Sequence, residues 1–338
     1  MKTATDGQSE ALLRQGAAIE AAPPEAADPE VALPSEGHPA DNLLREDRLP
    51  HIWCPECGLG IALKAYLRAL EQVAPEMPLD KQVCVSGIGC TGRIAGYVNL
   101  DSYHTTHGRA IPFATGLKLG NPELSVTVFT GDGDMLTIGG NHFVHAARRN
   151  FDINVFLVNN FTYGMTGGQF GGTTPQGAVS STTPYGNVED PMNVPALAEA
   201  LGVPYVARWT TLHVRQLARS LEQALRTPGF TLVEIISPCP PGFGRANEYR
   251  TGTEMMKAFR DVCRVDPEAD LRTVGLPMRP GDPIVCGDFI CRPRPSYLQR
   301  YAEQMRNAGV HEAAAEAAAS ASGEGVSPGY SRRLESAP

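Results

Sequence analysis

No stretch of the 338-residue sequence approaches the roughly 18 uninterrupted apolar residues of a membrane span, and no part of it gathers a basic block. The first absence excludes a bilayer span as the organising feature. The second, with a formal net charge of -8, leaves nothing to draw the chain onto a phosphate backbone or an anionic membrane. Nucleic acid and membrane are therefore set aside as partners. The N-terminal stretch also lacks the basic flank and apolar run of a secretion signal, so the expected compartment is the cytoplasm. Hydrophobic residues at 42% and charged residues at 20% suit a globular protein with a sizeable interior, which excludes disorder throughout. Eight cysteines in a reducing compartment are poor material for disulfides and are read for metal or cluster chemistry first.

Both ends differ in composition from the middle. Residues 1–46 are rich in Ala, Glu, Pro, Asp and Gly without an apolar period, and residues 311–338 form an Ala/Glu then Ser/Gly/Arg/Pro tail; both are expected to be disordered. Residues 47–250 read as one domain, and 251–310 as a C-terminal extension that packs on that domain or on a partner. Helices near Leu59–Leu70, Ala110–Leu119, Ile138–Arg149, Val194–Leu201 and His213–Arg226 alternate with strands at Val83–Val85, Ser125–Phe129, Ile153–Val158, Tyr205–Ala207 and Thr231–Ile236. This alternation predicts an α/β fold, a mostly parallel sheet with helices on both faces. A long Gly/Thr-rich loop from Asn159 to Tyr185 exceeds what a compact domain tolerates without a use, so it reads as a binding or lid element.

Ligands of such sheets sit beyond the carboxyl ends of the strands. Three suspicious segments fall there: Gly131-Asp132-Gly133-Asp134, Asn159-Asn160, and Ser237-Pro238-Cys239. The two glycines let backbone amides approach a phosphate, Asp132 offers a hard carboxylate oxygen, and Asn160 offers an amide oxygen of the kind Mg2+ accepts. A Gly-Asp turn alone would mean nothing, since such pairs punctuate loops everywhere. The cysteines Cys54 and Cys57 form a Cys-x-x-Cys before a helix, Cys90 follows the next strand, and Cys239 ends the last. Four such thiolates suit tetrahedral zinc or a 4Fe-4S cluster, and a Cys-x-x-Cys also suits a redox pair; spacing does not decide.

The combination resembles a known family. Gly131-Asp132-Gly133 followed one helix and one strand later by Asn159-Asn160 is similar to the motif of thiamine diphosphate enzymes. Trp53-Cys54-Pro55-Glu56-Cys57-Gly58, Gly87-Ile88-Gly89-Cys90, His107-Gly108-Arg109-Ala110 and Tyr163-Gly164-Met165-Thr166-Gly167-Gly168-Gln169 resemble the beta subunits of 2-oxoacid:ferredoxin oxidoreductases. The likeness runs from about Trp53 to Arg245, and the Tyr163–Gln169 run with Thr173-Thr174-Pro175 is nearer the 2-oxoglutarate branch.

That resemblance implies a thiamine diphosphate-binding fold, with Asp132, Asn160 and the Thr162 carbonyl as Mg2+ ligands. It implies Gly131, Gly133 and Asp134 along the diphosphate, with Gly89, Cys90, Thr91, His107, Gly164, Met165 and Thr166 completing the cofactor site. Cys54, Cys57, Cys90 and Cys239 would hold one 4Fe-4S cluster. The family's first motif reads Gly where this chain has Glu56, which is expected to shift local dihedrals and add charge near the cluster. Arg93 is a candidate partner for the substrate carboxylate, His107 a candidate donor to diphosphate or to a developing oxyanion, and His104 a second such candidate. Met165 and Phe161 are expected to pack against the cofactor rings.

The implied reaction is oxidative decarboxylation of a 2-oxoacid, with coenzyme A taking the acyl group and electrons passing singly through the cluster to ferredoxin. The glutamate that serves the aminopyrimidine resides in this family on a separate alpha subunit, so the chain should be inert alone. Competing readings are a pyruvate- or branched-chain-specific member, a non-redox thiamine diphosphate decarboxylase with a structural metal site, and a zinc-stabilised binding module. Cys84 reads as a buried small hydrophobe, and Cys263, Cys286 and Cys291 lack the spacing for a second cluster.

Overall fold

The computed structural model describes residues 40–276 and 282–309. Most of the expected leader and the whole expected tail therefore lie outside the described residues. The strands, in chain order, are β1 (Gln82–Ser86), β2 (Asp101–His104), β3 (Ser125–Gly131), β4 (Asn154–Asn159), β5 (Tyr205–Thr210), β6 (Thr231–Ile236), β7 (Cys263–Val265) and β8 (Ile284–Cys291). The helices are α1 (Leu59–Val73), α2 (Ile94–Tyr97), α3 (Ala110–Gly120), α4 (Gly140–Arg149), α5 (Val194–Ala200), α6 (Val214–Arg226), α7 (Gly252–Val262) and α8 (Tyr297–Asn307). Among the described residues no helix is long and apolar enough to cross a membrane.

The strands form one sheet in the order β2-β1-β3-β4-β6-β5-β8-β7, parallel throughout except where β8 runs antiparallel to β5. Every residue of β4, β5 and β6 is buried, as expected where helices cover both faces. The pleat divides the side chains between two cores. Phe129 and Phe156, register partners on β3 and β4, join Tyr66 of α1 and Leu217 and Leu221 of α6 on one face. Val128, Val155 and Leu157 join Phe143 of α4 and Ala114 of α3 on the other. Tyr66 meets both phenylalanine rings edge-on, with centroids 4.9 and 5.8 Å away. Each such fully buried aromatic contributes about 1.5–3 kcal/mol by area alone.

Two departures from the sequence reading stand out. The helix expected from Ile138 begins at Gly140, because Gly133–Ile138 winds into a wide π turn before Gly139 resets the chain. Residues 40–46, expected to be part of a disordered leader, pack on the domain: Leu43 is buried, Leu44 bridges to Val98, and the Arg45 guanidinium bonds the Val98 and Leu100 carbonyls. The C-terminal extension packs on the domain itself, extending its sheet through β7 and β8.

Asn150 joins that extension to the older core. It closes α4 in the left-handed region at φ 56°, and its buried carboxamide accepts from the Phe230 amide (2.9 Å) and donates to the Pro295 carbonyl (3.0 Å). Left-handed backbone favours Asn and Gly over other residues. Asn150→Ala is expected to lower stability by about 2–4 kcal/mol, from two lost buried hydrogen bonds plus backbone strain. Asn150→Gly should lose less, and denaturant melts of the two variants check the order.

Candidate active site

β3, β4 and β6 are adjacent and parallel, so their carboxyl ends and the loops beyond them share one edge of the sheet. There the structure opens a cleft of about 540 Å³, its open mouth included. The residues assigned above to the cation, the diphosphate and the rest of the cofactor site line it, from Gly89, Cys90 and Thr91 through His107, Gly131, Asp132, Gly133 and Asp134 to Asn160, Thr162, Gly164, Met165 and Thr166, whereas His104 and Phe161 do not. Ile88 and Tyr163 line it as well; both fell within the quoted motifs without being given a role.

Asp132 and Asn160 are both buried. Asp132 Oδ2 accepts from Thr173 Oγ1 at 2.6 Å, which tethers the long loop to the end of β3. Burial pushes the Asp132 carboxyl up to about 6, against the opposing pull of the Thr173 hydrogen bond. Asn160 Oδ1 is buried without any hydrogen-bond partner. A buried carboxylate in the same cleft as an orphaned amide oxygen is a set that a hard cation completes. The residues present thus fit a Mg2+ ion, and the glycines around them fit a diphosphate. A Cβ at Gly133 would meet the Tyr163 ring at 2.3 Å, so only glycine lets the ring close over the turn.

Asp134 lines the cleft and also ties together the segments around it. Its Oδ1 accepts from His107 Nδ1 (2.6 Å), the Gly108 amide (2.7 Å) and the Ile88 amide (3.2 Å), and its Oδ2 from Thr130 Oγ1 (2.7 Å). One carboxylate therefore pins three loops together under the cleft. Gly87 has no room for a side chain because Asp134 Oδ2 stands 2.0 Å from where its Cβ would be. His107 is oriented by that carboxylate, while His104 is turned away, its Nδ1 bonded to Ser86 Oγ and the Gly92 carbonyl.

Two other expectations shift. Phe161 does not line the cleft; it packs behind it against Phe243 (centroids 5.3 Å) and Phe259 (6.3 Å). Arg93 is exposed and outside the lining, and its charge acts on the Cys90 thiol.

The four cysteines come together on the far side of Gly164. Trp53 Nε1 donates to the Cys90 carbonyl at 2.8 Å, and a Cβ on Gly58 would strike Ser237 Oγ at 2.4 Å, so the three thiol-bearing loops are held against one another. Burial, then the neighbouring thiols, pushes Cys57 up to about 11. Burial pushes Cys239 up to about 12, again with Cys57 and Cys90 adding to it, and Cys90 is raised by burial and by Cys54. Cys57, Cys90 and Cys239 thus each feel neighbouring thiols, although among the described residues no three His, Cys, Asp or Glu side chains close on a single-ion point. A Cβ on Gly164 would lie 3.3 Å from Cys239 Sγ, 3.8 Å from Cys90 Sγ and 3.7 Å from Asn160 Nδ2. One glycine separates the thiols from the amide of the cation set.

Glu56 takes the left-handed backbone (φ 62°), a region that favours glycine. Its carboxylate accepts from the Gly252 amide and from Thr253 Oγ1, each at 2.8 Å, at the start of α7, and these bonds hold the carboxyl below its ordinary range.

Fold and site together define a thiamine diphosphate-binding α/β domain with an adjoining four-thiol pocket, and comparison with known proteins agrees. Residues 87–235 match the family described as "Thiamine pyrophosphate enzyme, C-terminal TPP binding domain". The 2-oxoglutarate synthase subunit KorB of Methanothermobacter thermautotrophicus is 49% identical over 260 residues, covering 76% of this chain and 88% of the relative. The KorB subunit of Methanocaldococcus jannaschii is 44% identical over 263 residues, covering 78% and 95%. A solved 2-oxoglutarate:ferredoxin oxidoreductase from Magnetococcus marinus, with 2-oxoglutarate, coenzyme A and succinyl-CoA bound, superposes with a TM-score of 0.70 at 32% identity. That match covers 79% of this chain and 90% of the other. The chain belongs to the beta-subunit family of the 2-oxoacid:ferredoxin oxidoreductases.

The Asp132 carboxyl gives a pH prediction. Folded, it holds its proton up to about 6, whereas unfolded it ionises near 4. The folded chain therefore binds more protons between those values, and this group's penalty on stability fades as pH falls through them. In chelator, without cofactor, the stability gap between Asp132→Asn and the natural chain should be on the order of 2–3 kcal/mol at pH 7 and close to zero by about pH 4. Paired denaturant melts across that range measure it.

Proposed function

We propose that this chain holds thiamine diphosphate through Mg2+ and one 4Fe-4S cluster, and oxidatively decarboxylates 2-oxoglutarate with an alpha subunit. Coenzyme A is the acyl acceptor and ferredoxin the electron acceptor. When bound, thiamine diphosphate supplies the nucleophilic carbon that lets a 2-oxoacid lose CO2, and a 4Fe-4S cluster accepts electrons singly. Asp132, Asn160 and the Thr162 carbonyl are the Mg2+ ligands of this reading, and the backbone at Gly131 and Gly133 faces the diphosphate. His107, donating its Nδ1 proton to Asp134, has its ring tautomer set by that bond and keeps Nε2 for the cleft. Cys54, Cys57, Cys90 and Cys239 are the cluster ligands, and ligation releases the protons that burial keeps on Cys57, Cys90 and Cys239. Arg93, exposed near Cys90, serves a substrate carboxylate in this reading only from the rim, where the partner subunit closes the site.

The observation that carries this reading is Gly164, which brings two of the thiols within about a side chain's reach of the orphaned Asn160 amide. A non-redox decarboxylase has no use for that adjacency. The choice of 2-oxoglutarate rests on the relatives, two of them named 2-oxoglutarate synthase subunits, and on the solved neighbour that holds 2-oxoglutarate. The cytoplasm remains the expected location.

Co-expressed anaerobically with its alpha subunit, the chain should reduce a viologen in a CoA-dependent reaction, faster with 2-oxoglutarate than with pyruvate, branched or aryl oxoacids. Asp132→Ala should abolish Mg2+-dependent thiamine diphosphate binding, and Cys239→Ser should lose iron and electron output. Purified complex holding neither iron nor thiamine diphosphate would refute the assignment.

A further inference from the structure

Glu234 sits in the middle of β6 and Arg208 directly beside it on β5, both fully buried. Arg208 Nε donates to Glu234 Oε2 at 2.7 Å. An ion pair inside a parallel sheet is a poor source of stability, since desolvating both charges costs several kcal/mol and apolar residues of similar volume often do as well or better. The pair does something else. Glu234 Oε1 accepts from Asn159 Nδ2 at 2.8 Å, and Asn159 Oδ1 accepts from the Phe161 amide at 3.1 Å. Phe161 has the left-handed φ of 66°, which a non-glycine residue holds only when its surroundings impose it. Its carbonyl is fixed in turn by Thr174 Oγ1 at 2.6 Å. Between the two clamped residues stands Asn160, its Oδ1 buried and without a partner.

We propose that Glu234 is a positioning residue for the cation site: through Asn159 it imposes the reversed backbone at Phe161 and so holds the Asn160 amide oxygen in the cleft, with Arg208 as counter-charge. The inference rests on the reading of Asn160 as a Mg2+ ligand. Glu234 touches neither cofactor nor substrate. Arg208 is itself anchored by Nη1 on the Val274 carbonyl at 2.6 Å, so the brace runs from the C-terminal extension across two strands to the end of β4.

The test uses the alpha-beta complex and reads the Mg2+ concentration that half-saturates thiamine diphosphate binding, by calorimetry, together with the cofactor-free melting temperature. Asn159→Ala leaves the ion pair intact and should raise the Mg2+ requirement about 10–100-fold, the usual cost of losing a group that orients a metal ligand. The double variant Glu234→Leu with Arg208→Met removes the acceptor of Asn159 Nδ2 together with both charges and should show the same weakened Mg2+ dependence, whereas a purely structural pair would change the melting temperature alone. Phe156→Leu, on the opposite face of β4 from Asn159, should lower the melting temperature and leave the Mg2+ requirement alone. An unchanged Mg2+ requirement in Asn159→Ala, with the natural complex still needing Mg2+, overturns the positioning role while leaving the cation site standing. A natural complex that binds the cofactor without Mg2+ overturns both.

Discussion

Three neighbouring parallel strands that end on one edge force the loops after them into a common space, and the chemistry of this chain depends on that constraint. β3 delivers Asp132 and its glycines, β4 delivers Asn159 and Asn160, and β6 delivers the run to Cys239. The three groups lie far apart in sequence, and none needs a long side chain to reach the others. The helix-covered sheet fixes the strand ends through two close-packed cores, so the polar residues at the edge can stay unsatisfied without disturbing the fold. Asn160 Oδ1 without a partner and Asp132 pushed up to about 6 are the local cost of that arrangement.

What keeps the edge in shape is a set of buried carboxylates that do no chemistry of their own. Asp134 gathers amides from two loops, the His107 ring and the Thr130 hydroxyl. Glu234 gathers Arg208 and Asn159. Each accepts from groups far apart in the chain, so each converts several mobile loops into one rigid wall, and in a low-dielectric interior charge-assisted bonds of this kind are stronger than neutral ones. Glu234 stands within β6 and Asp134 in the turn directly after β3, so both tie the site's geometry to the sheet.

Much of this was legible in the sequence. The runs Ser125–Phe129 and Ile153–Val158 read as strands because apolar and β-branched residues run nearly unbroken between turn signals, and the glycine-flanked Asp132 and paired Asn159-Asn160 then fell at their ends. The strand β2 was missed because Asp101–His104 is a polar, exposed edge without alternation. β8 was passed over in a stretch dense in proline and glycine, although Ile284–Cys291 is mostly buried. Asp134 looked like a diphosphate neighbour by adjacency to Asp132; its four donors come from segments whose convergence only the fold reveals. Tyr163 and Ile88 lay in quoted motifs without a role of their own, Phe161 packs behind the cleft, and Arg93 stands exposed outside its lining.

The C-terminal extension, which the sequence presented as an appendage, braces both halves of the site. Its helix α7 receives Glu56 on the Gly252 amide and Thr253 hydroxyl, and Glu56 lies between the two cysteines of the Cys54–Cys57 turn. Its Val274 carbonyl receives Arg208, which neutralises the carboxylate that orients Asn159. The left-handed backbone at position 56 would suit glycine, but a glycine would leave α7 without that carboxylate at its positive end. Glu56 accepts a local strain and ties the thiol turn to α7, whose Met255 and Phe259 also pack into the core under the sheet.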